Sequence, residues 1–144
     1  FFPIVIVNSR LVGETYFDNA VEEIIANLAP DTGLPGNEEL KREALQKVIE
    51  NELMYREAQK YFGSKLSSED NSETVRALLS DQVKIQGSTF EEWLARAKHN
   101  ASVYILVSGF AWSGEKVISC GVKSDGQIGS NNNSSPPHSL LSSC

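Results

Sequence analysis

The stretch from Glu38 to Phe62 contains neither glycine nor proline, and that uninterrupted run constrains the chain more than any other feature. Along it Leu40, Ala44, Leu45, Val48, Ile49, Leu53 and Ala58 recur at helical spacing and form one apolar stripe. Glu38 and Glu39 fall in the first turn, where the helix dipole favours negative charge, and Gly63 supplies a residue able to end the helix. The spacing predicts one long helix, with its Lys41 to Phe62 portion as the central buried element.

Shorter helices are expected around it. Ahead of it, Phe17, Ala20, Val21, Ile24, Ile25 and Leu28 keep helical spacing, with Thr15 and Asp18 placed as a capping box and Pro30 as terminator. The connection from Pro30 to Gly36 carries two prolines and two glycines, and Asn37 is the expected N-cap of the long helix. Behind it, Ser67 and Asp70 offer a capping box before Val75, Leu78, Leu79 and Val83. A third box, Ser88 with Glu91 or Thr89 with Glu92, precedes Phe90, Trp93, Leu94 and Ala97. At the start, β-branched Ile4 to Val7, then Asn8-Ser9-Arg10 and Leu11-Val12-Gly13, predict a small strand or hairpin.

Helical periodicity is lost beyond Ala101. Val103 to Val107 is a strand-like run, and glycines punctuate the sequence from Gly109 to Gly129. Gly129 to Cys144 is rich in Ser and Asn, a composition that buries too little apolar surface to offset chain entropy. The expected organisation is a helical domain over residues 1–101 and an irregular tail over 102–144, with at most one short strand before disorder. The expected fold class is mainly α: an irregular four-helix domain with a short amino-terminal β element and an irregular carboxyl-terminal tail.

A length of 144 residues accommodates that domain and tail but no second catalytic domain. The net charge of -6 and a pI near 4.9 argue against nucleic acid, whose phosphates need clustered Lys and Arg. The longest apolar run, Phe1 to Val7, is broken by Pro3 and falls short of the roughly 20 residues that span a bilayer, so no membrane span is expected. Cys120 and Cys144 both lie in the tail, outside any CxxC or metal-ligand spacing, and the cysteine-free body fits an oxidising compartment.

Nothing in the residue pattern points to catalysis. Glu50, Glu52 and Glu57 read as the solvated face of the long helix, and His99 and His138 lie far apart without a carboxylate or Cys at ligand spacing. Gly121 to Gly126 lacks the order of a phosphate loop and reads as a turn. No catalytic residue, metal site or cofactor is therefore expected.

Four segments carry a resemblance. Ile4-Val-Ile-Val-Asn-Ser-Arg-Leu-Val12 looks like an opening strand with a Val-Asn-Gly type turn, in which Ser9 replaces the usual turn residue. Lys41 to Lys60 is similar to a long helix with a basic opening and a paired aliphatic stripe, Leu66 to Asp70 to a Ser-Asp-Glu-Glu helix start, and Gly87 to Leu94 to a short helix after a polar turn. In this order they resemble the amino-terminal chaperone domain of SurA and the related parvulin-type (SurA/PpiD/PrsA) peptidyl-prolyl isomerases, over roughly Ile4 to Ala97. Residues 102–144 depart from the family, which continues with a further basic and aliphatic helix. The family's isomerase activity resides in parvulin modules that this match does not include, so the resemblance implies a chaperone domain, or a fragment of an isomerase without its catalytic module.

The resemblance further implies a periplasmic or extracytoplasmic setting and binding of unfolded outer-membrane or secreted protein segments in a groove between helices. Tyr16, Tyr55, Tyr61, Phe62 and Trp93 are candidates to line it, because amphipathic rings give large contact area at small entropic cost, and Met54 is a candidate for adaptable contact. Phe17, Phe90 and Trp93 lie on stripe positions that favour core packing, whereas Tyr55 lies off the Leu45/Val48/Ile49 line and is the strongest single candidate. A homo-oligomer or adaptor bundle is the alternative, with Val103 to Val107 pairing with Ile4 to Val7 of the same or another subunit.

Overall fold

The computed structural model describes residues 2–63, 66, 72–120 and 141–142, and among them the chain is mainly helical with some sheet. Strands β1 (Pro3–Val7) and β2 (Arg10–Gly13) lead into helices α1 (Glu14–Ala26), α2 (Asn37–Phe62), α3 (Ser72–Ile85) and α4 (Phe90–Asn100). Strands β3 (Val103–Ile105), β4 (Phe110–Trp112), β5 (Val117–Ser119) and β6 (Leu141–Ser142) follow. The expected Ser67/Asp70 box and the turn at Gly121 to Gly126 lie outside the described residues, as do His138 and all of the Gly129 to Cys144 stretch except Leu141 and Ser142.

The first sheet has the order β2-β1-β3. β1 and β2 form a hairpin in which Val7 faces Arg10, leaving Asn8 and Ser9 as a two-residue loop, both at positive φ (49° and 71°). That is the requirement of the tight turn whose twist matches the strands, and Asn tolerates it better than Ser. The turn is tied down from across the sheet, because Asn8 donates its N–H to the Ser102 carbonyl at 2.7 Å while its side-chain oxygen accepts from Ser102 N at 2.9 Å. β3 then pairs antiparallel with β1, Val5 opposite Ile105 and Val7 opposite Val103, so the pairing of these two segments forms within one chain.

The expectation of an irregular tail from residue 102 with at most one short strand is corrected over residues 103–119. Three strands lie there, and Val103, Ile105, Phe110, Trp112 and Val117 are buried in the same core as Val5, Val7 and Val12. The physical reason is that these side chains are large and apolar enough to be buried although each strand is only three residues long, too short to display a period. β4 is central in the second sheet, order β5-β4-β6, with Ala111 facing both Ile118 and Ser142. α2 seals the edge of β5: the Gln46 Oε1 accepts from Val117 N at 2.7 Å. Gln46 Nε2 in turn donates to Glu50 at 2.8 Å, and Lys98 Nζ of α4 reaches the same Glu50 oxygen at 3.0 Å.

The predicted stripe of α2 is buried as a stripe, with Ala44, Leu45, Val48, Ile49, Leu53 and Ala58 all in the core and Leu40 half-buried. It serves two clusters. Ala44 to Leu53 pack against both sheets and α1, while Met54 and Ala58 pack against Val75, Leu79 and Val83 of α3 and Phe90 and Leu94 of α4.

Two caps differ from expectation. α1 starts at Glu14 on Gly13 with no side-chain cap, because β2 runs straight into the helix and Glu14 N is already spent on the Phe2 carbonyl at 3.0 Å; Thr15 lies inside the first turn. α2 takes Gly36 as its N-cap, the Gly36 carbonyl accepting from Leu40 N, and Asn37 is its first helical residue. At α4 the box is Thr89 with Glu92: Thr89 Oγ1 accepts from Glu92 N and Glu92 Oε1 from Thr89 N, each at 3.1 Å. Gly63, at φ 51°, ends α2 as predicted.

Three outcomes follow from this packing. Ser9→Gly relieves a side chain in the left-handed region and should raise stability by about 0.5–1 kcal/mol in urea unfolding; a loss would contradict the turn assignment. Ile105→Ala should lower stability by about 2–5 kcal/mol, since the side chain is fully buried, and a change near zero would contradict the placement of β3 in the core. The Glu92 carboxyl is held below its ordinary 4.5, chiefly by the hydrogen bond from the Thr89 backbone. A depressed folded pKa contributes stability that is present above the unfolded value and lost as pH falls through the folded one. The advantage of the native chain over Glu92→Gln should therefore shrink in thermal melts taken from pH 7 to below pH 4.5.

Candidate functional site

Helical spacing on two neighbouring helices builds a groove between them. Tyr16, Asn19, Ala20 and Glu23 lie at successive turns of α1, and Val48, Asn51, Glu52, Tyr55 and Gln59 do the same on α2. Between these rows lies a cavity of about 610 Å³, lined also by Arg10 and Val12 of β2 and by Ser72 and Val75 of α3. Val12, Ala20, Val48, Met54 and Val75 are buried and make an apolar floor. Tyr16 is 66% exposed on one wall, and Tyr55 is half-buried on the other.

The rim is polar but close to neutral. Asn19, Asn51 and Gln59 offer carboxamides that both donate and accept. Its carboxylates each lie near a cation: Glu23 is 3.7 Å from Lys47, and Glu52 is 4.0 Å from Arg56, which also lines the groove. Such a rim matches the alternating N–H and C=O groups of an extended backbone better than it matches an ion.

The structure brings Tyr16, Met54 and Tyr55 to this groove, with Met54 only 3% exposed and thus a floor residue rather than a mobile contact. The other three candidates lie elsewhere. Tyr61 is turned toward the end of α3, where its hydroxyl accepts from Gln86 Nε2 at 2.7 Å, and its ring meets Phe62 edge-on at 6.4 Å. Phe62 is half-buried against the α3/α4 core. Trp93 packs on Phe90 at 5.8 Å and lines a separate cleft of about 360 Å³ between α2 and α4. Phe90 itself is core, 5% exposed, with the Arg76 guanidinium 4.7 Å above its ring.

Of the glutamates weighed as an acid/base set, Glu50 holds Lys98 and Gln46, Glu57 pairs with Lys60 at 3.1 Å, and Glu52 faces Arg56, so each has a structural partner. Residues that sequence reasoning missed are Arg10, Val12, Asn19, Asn51 and Gln59. The i, i+3, i+4, i+7 rows on α1 and α2 were readable, but nothing in the sequence says that these two rows face each other.

No helix among the described residues is long and apolar enough to cross a membrane. Comparison with protein-family models, with characterised proteins and with solved structures finds no match for this chain.

Proposed function

We propose that the chain is a polypeptide-binding module that holds extended segments of unfolded protein in the groove between α1 and α2, without cofactor or catalysis. The observation that carries this reading is the combination of a buried apolar floor, two tyrosine walls and a carboxamide rim. The floor accepts an apolar side chain of any shape near its size, the tyrosines add amphipathic contact area, and the carboxamides serve backbone groups irrespective of sequence. Weak, sequence-tolerant contact of this kind releases its client quickly and needs no ATP.

The same reading treats the helical body as an irregular four-helix domain of the SurA-like amino-terminal type, with its short β element, acting on outer-membrane or secreted clients. The cysteine-free body over residues 1–101 suits the oxidising, extracytoplasmic setting of that reading.

The test is suppression of aggregation of a chemically unfolded outer-membrane protein by the native chain, with Tyr16→Ala, Tyr55→Ala and Tyr61→Ala beside it. Truncating a groove tyrosine should weaken client affinity roughly tenfold, as expected for an aromatic anchor, and Tyr61→Ala should leave it within about twofold. Absence of suppression at any ratio, or equal loss in all three variants, would overturn the proposal.

A further inference from the structure

A second cleft, between α2 and α4, adjoins the groove at Arg56 and has a chemistry that the acidic character of the chain does not explain. Leu53, Arg56, Glu57 and Lys60 are one row of α2, and they face a matching row of α4 that includes Trp93 and Arg96. Asn8, fixed by its bonds to Ser102, and Asn100 close one end. In a chain of net charge -6, three cations and one carboxylate converge here.

Lys60 has a close carboxylate, but the two arginines are only loosely answered. Glu57 is committed to Lys60 at 3.1 Å. Arg56 Nη1 is buried without a hydrogen-bond partner among the described residues, although the side chain as a whole is 40% exposed, and its approach to Glu52, at 4.0 Å, is beyond hydrogen-bond reach. Among the described residues Arg96 makes one hydrogen bond, of 3.4 Å to Ser88 Oγ, while Glu92, one turn back, spends its carboxylate on Thr89 N and Ser88 Oγ. A guanidinium presents a planar fork that matches a carboxylate, and a buried donor without an acceptor is costly until one arrives.

We infer that this cleft binds a carboxylate carried beside an aromatic group, as in an acidic residue next to an aromatic one in an extended peptide, with Arg56 and Arg96 taking the carboxylate and Trp93 the ring. A bare anion would leave the half-buried indole facing water, whereas an anion on an apolar carrier covers it. The volume of about 360 Å³ suits one such side-chain pair and not a folded partner. The inference does not depend on the groove: it stands whether or not the chain suppresses aggregation.

The experiment titrates the full chain into two labelled, end-blocked peptides, Gly-Phe-Asp-Phe-Gly and its Asn counterpart, at low salt and read by fluorescence anisotropy. The Asp peptide should bind roughly tenfold more tightly, the ratio expected for one charge-assisted hydrogen-bonded contact, and the ratio should fall as salt is raised. Arg96→Gln and Arg56→Gln should each bring the ratio below about twofold, and Trp93→Leu should weaken both peptides alike. Arg96 is exposed on α4, so its variant keeps the helix, which far-UV circular dichroism checks. Equal affinity for the two peptides, a ratio that survives both arginine variants, or displacement of the Asp peptide by inorganic phosphate at equal concentration would overturn the inference.

Discussion

Burial of two adjoining faces of α2 is the constraint on which the rest of the chain depends. Consecutive residues on a helix point about 100° apart, and Leu53 and Met54 use that turn to belong to different cores. Up to Leu53 the helix is packed by strands and α1; from Met54 on it is packed by α3 and α4. Neither set of partners has an apolar layer of its own large enough to dispense with the helix, so α2 links a mixed α/β half to an all-helical half. The polar groups follow the same logic: Gln46 and Glu50 lie beside the first core and fasten β5 and α4 to the helix that separates them.

The helices were readable because period and punctuation agree. In α2 a long apolar stripe ends at Gly63, and at α4 Thr89 and Glu92 sit at the spacing a capping box demands. Caps went astray where the backbone supplies the cap by other means, as at Gly13, where strand pairing consumes the first N–H. Of the strands after Ala101, β3 falls within the expected Val103 to Val107 run and pairs with β1, whereas β4 and β5 were missed for a different reason. Phe110 to Trp112 and Val117 to Ser119 are too short to show alternation, and all three residues of β4 are buried, so no polar face marks its period.

The candidate site was half readable. Tyr55 stands out in the sequence because it lies off the main stripe, and it does flank the groove. Tyr61 and Phe62 share its chemistry but sit a turn or more further along α2, where the neighbouring surface belongs to α3 and not to α1. Pairing of faces is a tertiary property: Arg56 and Arg96 are unremarkable as separate helix-surface residues and become a pair only because α2 and α4 lie side by side.

The pairing of β1 with β3 sets an order of events during folding. The hairpin and the helices close through contacts near in sequence, whereas Val5 must wait for Ile105, and loop-closure entropy makes such distant pairing slow. Without β3, the β1–β2 hairpin is a two-stranded ribbon, marginal in water, with not only the β2 edge but also the β1 edge open. The segment after Ala101 completes that edge and adds Val103 and Ile105 to the apolar layer. A nascent or truncated chain ending before it would carry an adhesive strand edge, and would itself resemble the unfolded material that holding proteins capture.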